Sequence, residues 1–183
     1  IAYGVSDYKA VKDWQEQALA LYKEIDYKFG IAEATAALGE ADFRMGDFSI
    51  ARPKVEESLR LYEELGEQLK VAYAYLSLGV IEGRNGSPRV ANEYFKRGYE
   101  IMEPIGDQIA LARALNNLAI SHDMMGENDT AREIYERSLA IRREINDRQG
   151  IAYSLYNLGS MEEDAGNLES ARIKMQESLA ILR

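Results

Sequence analysis

"LNNLAISHDMMGENDTA" fills residues 115–131, and forty residues later the chain writes "LYNLGSMEEDAGNLESA" at 155–171. Leu115, Asn117, Leu118, Gly126 and Ala131 return as Leu155, Asn157, Leu158, Gly166 and Ala171. Between 110–143 and 150–183, 12 of 34 positions are identical. Self-similarity at a fixed period of roughly 20–50 residues marks an array of small structural units, and it outranks every other signal for the fold.

The 40-residue register runs through the chain. Leu38, Leu78, Leu118 and Leu158 align, as do Gly46, Gly86, Gly126 and Gly166. Ala51, Ala91, Ala131 and Ala171 align, and Ser58, Gly98, Ser138 and Ser178 keep one further position small. Each unit reads as two helices. In "LARALNNLAISHDMM", Leu111, Leu115, Leu118 and Ala119 recur at helical spacing, and Gly126 ends that helix. "TAREIYERSLAIRREI" is the second helix, with Ala131, Ile134, Tyr135, Leu139 and Ile141 facing inward. Asp107 and Asp147 stand where N-caps are needed, and Ser87-Pro88 opens a helix with a cap followed by proline. The aligned small residues have a steric reason, because two helices of a hairpin approach closely only where their crossing carries small side chains.

The register extends to the N-terminus, where "SDYKAVKDWQEQALALYKEI" (6–25) aligns with 46–65 as a second helix without its first. Nine helices are predicted, at about 7–26, 30–45, 48–65, 68–85, 88–105, 108–125, 128–145, 148–165 and 168–183. Pro53 fits if Ser49 is an N-cap, since first-turn N–H groups have no helical partner. The expected division is one continuous array: 1–29 as an incomplete unit, then 30–69, 70–109, 110–149 and a truncated 150–183.

Composition agrees with an all-α chain and narrows its chemistry. Hydrophobic residues make up 46% of 183, and there are only 3 Pro. The formal charge of −9 disfavours nucleic acid, whose phosphates call for Lys and Arg. No apolar run is long enough for a membrane span and no signal peptide opens the chain. The absence of Cys removes disulfides, thiolate metal sites and a Cys nucleophile, and fits a reducing, cytoplasmic setting. Opening at Ile1 and stopping inside a repeated phrase, the sequence reads as a piece of a longer protein.

The phrase "LGEADFRMGDFSIA" (38–51) resembles the tetratricopeptide repeat: Leu38-Gly39, Phe43, Gly46-Asp47-Phe48 and Ala51 stand at that motif's spacings. Leu158-Gly159, Gly166 and Ala171 repeat most of it. The motif's first-helix Trp is replaced by Thr35, Tyr75, Leu115 and Leu155, and its late Pro appears once, near its place, at Pro104. The usual unit has 34 residues, whereas roughly 40–47 is common in other helical repeats such as HEAT. The spacings favour a long tetratricopeptide variant, similar to that of kinesin light chain, G-protein-regulating scaffolds and arms of bacterial signalling ATPases and transcription activators. The six extra residues are expected at the outer turn, around "EINDRQ".

The resemblance implies an all-α, right-handed α-solenoid of antiparallel helix hairpins, whose concave face is lined by first helices. It implies a non-enzymatic protein–protein interaction scaffold that binds an extended peptide or helix in that groove. The alternative it offers is a structural or sensing arm of a larger signalling ATPase or transcription regulator. Carried over residue by residue, the groove comprises Tyr73, Arg84, Arg113, Asn116, Asn117, Ile120, Tyr153, Tyr156 and Asn157. An Asn amide can donate to and accept from a peptide backbone, so Asn117 and Asn157 stand out. The alternative for them is a bond between adjacent first helices. Arg84 and Arg113 are candidates to fix a ligand carboxylate, and the tyrosines to supply apolar walls. The carboxylate clamp of chaperone-binding relatives is not met, because only Arg113 fits it.

Catalytic readings find little support. His122 is the only His, which removes a His metal cluster and a Ser–His relay. Its place late in a helix suits a solvated residue or a helix-end partner. Glu162-Glu163-Asp164 reads as a solvated acidic face, and "GRNGS" (83–87) is a turn without the Lys of a phosphate loop. Met124-Met125 reads as turn packing, or else as an adaptable contact. No catalytic residue, metal or cofactor is expected. The expected partner is a protein or peptide, with no nucleic acid and no membrane. Tyr8 and Trp14 on the orphan helix, and the last helix without a polar cap, leave faces through which copies could self-associate.

Overall fold

The computed structural model describes residues 5–182, and its architecture follows the helical periodicity of the sequence. Among the described residues, nine α-helices follow one another: α1 (Val5–Glu24), α2 (Lys28–Met45), α3 (Phe48–Leu65), α4 (Gln68–Arg84), α5 (Pro88–Ile105), α6 (Gln108–Met124), α7 (Asn128–Glu144), α8 (Arg148–Asp164) and α9 (Leu168–Leu182). Every predicted helix is present, with ends shifted by a residue or two; Arg183 and residues 1–4 lie outside the described residues. The chain divides into two compact units, residues 1–101 and 102–183.

The turns are short, and residues able to adopt positive φ make them so. Gly46 and Gly126 have φ of 89° and 76°, a conformation costly for most side chains. At the outer turns Asp26 and Asn146 do the same at 51° and 55°, and their short polar side chains tolerate it best after glycine. Asp107 caps α6 by accepting from the N–H groups of Ile109 and Ala110, and Asp147 caps α8 by accepting from Gly150.

Two expectations are corrected here. The extra length of the 40-residue unit is helix rather than loop: of "EINDRQ", Glu144 closes α7, Arg148 and Gln149 open α8, and only 145–147 form the turn. The N-cap of α3 is Asp47, not Ser49, so Pro53 lies inside the helix. Its missing N–H would have served the carbonyl of Ser49, a residue exposed enough for water to substitute.

In the first unit, α2 packs against α3 through Ala32, Ala51, Val55, Leu61 and Tyr62, and α4 adds Val71, Ala74, Leu78 and Ile81. A Cβ added at Gly39 would stand 2.9 Å from Val55 Cγ2 and 3.3 Å from the Ala51 carbonyl oxygen, so Gly39 is the crossing point of that hairpin. In the second unit Ala119, Ala131, Tyr135 and Leu139 meet Leu155, Leu158 and Met161 of α8. The small residues at the second crossing also bond: Ser138 Oγ donates to the Ala112 carbonyl at 2.8 Å and Ser178 Oγ to the Ala152 carbonyl at 2.7 Å. Small side chains thus let the helices close while the hydroxyl satisfies its own burial.

Candidate functional site

Within each compact unit, acids buried in the first helices tie neighbouring repeats together. Asp42 on α2 is fully buried and held by Lys12 of α1 at 2.7 Å and by Lys54 of α3. Forty residues on, Glu82 of α4 meets Arg52 Nη1 of α3 at 2.7 Å. Glu162 of α8 is held by Arg132 of α7, by Lys174 of α9 at 3.6 Å, and by Asn167, which donates from Nδ2 at 2.8 Å. Burial opposes ionisation of Asp42, yet the hydrogen bonds from Lys12 and Lys54 outweigh it and leave the carboxyl below its usual range. The Arg132 bond above all brings Glu162 down to about 2.

Glu162 therefore departs from the solvated acidic face read from the sequence: it is buried and paired, whereas Glu163 and Asp164 are exposed. The signal was present as acids at 42, 82 and 162 with cations thirty residues before each, at 12, 52 and 132. It was hidden because an acid inside an apolar phrase resembles a surface position until its partner helix is placed. In the same register His122 replaces the acid, and its Nδ1 lies 2.5 Å from Glu127 Oε2 past the end of α6, as a helix-end partner.

The residues assigned to the groove take distinct places. In the first unit, Tyr73 is half-buried on α4 and Arg84 is exposed at its last residue. In the second, Arg113, Asn116, Asn117 and Ile120 come from α6, and Tyr153, Tyr156 and Asn157 from α8. Asn157 Nδ2 donates to Asn116 Oδ1 at 3.1 Å, bonding two successive first helices. Asn116 is buried, Asn117 and Ile120 are half-buried, and Arg113 is exposed. Tyr153 and Tyr156 stand 61% and 56% exposed, one turn apart.

The sequence reading passed over one buried side chain of the second unit. Arg142 of α7 is buried; its Nη1 donates to the Gly150 carbonyl at 2.6 Å, while its Nε has no partner. Burial first, and then the charge of Arg113, hold it below the ordinary arginine range, against the pull of Asp147.

A depression of about 360 Å³ opens at the end of the second unit, lined by Leu168, Ala171, Met175 and Leu179 among others. One repeat earlier the matching Ala131, Tyr135 and Leu139 are buried with α8 residues. The depression is thus the seat that α8 fills one unit before, left uncovered. Among the described residues no group of three or more His, Cys, Asp or Glu is placed to hold a metal, and no helix is long and apolar enough to cross a membrane.

Paired helices of fixed spacing, crossing at Leu-Gly and Ala, are what the tetratricopeptide repeat pattern describes, and it matches residues 30–103 and 107–183. The chain belongs to the tetratricopeptide repeat family. Its structure is similar to that of BtubC (BKLC) from P. vanneervenii, with a TM-score of 0.81 at 22% identity over 96% of this chain and 73% of that one. A putative kinesin light chain of Podospora anserina with nearly identical repeats gives 0.75 at 15% identity, covering 96% and 87%. A Rap protein complexed with Competence and Sporulation Factor gives 0.77 at 16% identity, covering 97% and 59%. These likenesses establish the fold, an all-α helical-repeat solenoid. Among curated protein sequences, none matches this chain.

Proposed function

We propose that this tetratricopeptide repeat chain is a non-enzymatic scaffold that binds an extended peptide or helix of a partner protein across its first helices. The repeats divide as 30–69, 70–109, 110–149 and 150–183, with 1–29 an incomplete unit. The observation that carries the reading is the surface of the second unit. Tyr153 and Tyr156 project from α8 while Asn157 beside them is held by Asn116. Exposed aromatic rings on a rigid helix offer large contact area at small entropic cost, and a tethered amide offers a polar anchor. A neighbour of the same fold complexed with Competence and Sporulation Factor supports ligand capture by such an array.

The experiment is selection of peptides from a random library on the intact chain, followed by Tyr153→Ala with Tyr156→Ala. The selected peptides should weaken at least about tenfold while helix content and unfolding midpoint stay constant, since each anchor is worth 1 kcal/mol or more. Unchanged affinity would remove the groove assignment.

A second reading is favoured by one observation. Trp14 and Leu21 on α1, Ile25 just after it, and Leu168, Leu179 and Leu182 on α9 are exposed apolar residues of the first and last helical segments. In that reading the array is an arm of a larger signalling protein, or associates with its own copies, and these faces are covered there.

A further inference from the structure

Two second helices, α3 and α7, receive the first helix that follows them in the same way. Val71, Tyr75, Leu78 and Ile81 of α4 join one cluster with Ala51, Val55 and Leu61 of α3. Ile151, Leu155, Leu158 and Met161 of α8 join another with Ala131, Tyr135 and Leu139 of α7. Both incoming sets stand at i, i+4, i+7 and i+10, and an acid follows at i+11, Glu82 in one and Glu162 in the other. Arg52 Nη1 of α3 meets Glu82 at 2.7 Å, and Arg132 Nη1 of α7 meets Glu162. The apolar residues hold the incoming helix, and the buried acid on its cation sets the register.

The helix α9 presents the same seat uncovered. Ala171, Met175 and Leu179 line the open depression at the positions of Ala131, Tyr135 and Leu139, and Arg172 lines it at the position of Arg132. In the earlier repeats this cation goes with its acid: where residue 122 is His, residue 92 is Asn. Arg172 holds Glu169 of its own helix through Nε at 3.0 Å and Nη2 at 2.5 Å, and its Nη1 reaches Gln176 Oε1 at 3.3 Å. Such local bonds are compatible with an acid from another helix. Arg52 holds Glu56 of its own helix through Nε at 2.9 Å while its Nη1 meets Glu82. Gln176 stands where Glu56 and Glu136 stand in earlier repeats, so Nη1 of Arg172 has only a long bond to a neutral amide.

We propose that the open face of α9 docks an amphipathic helix of a partner protein, with apolar residues at i, i+4, i+7 and i+10 and an acid at i+11 that Arg172 takes. This is a site apart from the peptide groove. It rests on the second reading's uncovered α9 face and names what covers it. Charge decides against a second copy as the occupant. On the exposed side of α1, Trp14, Ala18 and Leu21 stand at i, i+4 and i+7, but i+11 is Ile25. The helices that do carry the acid, α2, α4 and α8, are already packed in the array.

The probe is a peptide of the α8 sequence, residues 148–165, with blocked ends and a lactam bridge on its outward face to hold it helical. It should bind the intact chain with a Kd of about 0.1 mM or tighter. Glu162→Gln in the peptide should weaken binding about tenfold, as loss of a charge-assisted hydrogen bond does. Arg172→Glu in the chain, an exposed position, should weaken it as much, and Glu162→Lys in the peptide should restore it. Because the chain has no Cys, Leu179→Cys places a single thiol in the seat. That thiol should label quickly in the intact protein and be protected by the peptide. Tyr153→Ala with Tyr156→Ala should leave this binding unchanged, so the groove and the end seat fail separately. No binding, or equal binding by the Arg172→Glu chain, overturns the proposal. Thiol protection without peptide overturns it too: protection that rises with protein concentration gives the seat to a second copy, and protection at every concentration gives it to a segment of the same chain.

Discussion

Asn157 of α8 donates to Asn116 of α6, not to Asn117, its own equivalent one repeat earlier. Asn117 has no hydrogen-bond partner among the described residues and is half-buried, whereas Asn116 is buried. Asn157→Ala strands the Asn116 amide and should cost about 1–3 kcal/mol, while Asn117→Ala should change stability by less than about 0.5. Urea unfolding of the two variants measures the difference, and equal losses would deny the pair its role.

The buried acids make the array acid-sensitive. Glu162 falls to about 2 in the folded chain, below the roughly 4.3 of a free glutamate. Folding thus favours its charged form. The stabilisation is complete above about pH 5 and is lost as pH falls toward 2; Asp42, also depressed, acts in the same direction. Glu162→Gln should be less stable than the native chain at pH 7, with the gap closing near pH 2–3. A gap that stays constant across the titration would contradict the ion pairing.

Leu139 and Leu179 are the same residue one repeat apart, 7% and 52% exposed. Leu139 joins the cluster with Leu155, Leu158 and Met161, while Leu179 borders the open depression. Leu139→Ala should cost about 2–4 kcal/mol and Leu179→Ala less than about 1. A comparable loss at both positions in the isolated chain would show that the end groove is covered in solution.

Hairpin closure depends on the small residues at the crossings. A Cβ at Gly79 would lie 2.4 Å from the Phe95 ring, and Ala131 is fully buried. Gly79→Ala and Ala131→Leu should each lose about 1–3 kcal/mol through overpacking, despite better helix propensity than Gly in the first case. Thermal unfolding decides it, and a raised midpoint for Gly79→Ala would mean that Phe95 swings aside freely.

Much of this was legible in one dimension because the unit is local. Leu118, Gly126 and Ala131 sit within a single hairpin, so a repeat of 40 residues, the two helices in it and the small crossing residues follow from short-range periodicity. The caps at Asp107 and Asp147 were readable for the same reason, since a cap bonds within its own first turn. The start of α3 near residue 48 was readable, but the cap was not: Asp47 rather than Ser49 stands at the N-cap position, so Pro53 lies inside the helix.

What the sequence alone determined is the array and its family, because amphipathic period and turn chemistry are set by neighbours along the chain. What the tertiary structure decided is which polar residues are spent on holding the array together. Asp42, Glu82 and Glu162 are spent, because cations thirty residues away reach them only when helices stack. Asn157 is tethered by a residue 41 positions distant, and Arg142 is buried with Nη1 on the Gly150 carbonyl of the next helix. Such pairings depend on distances through space between separate helices, and no spacing along a single helix encodes them.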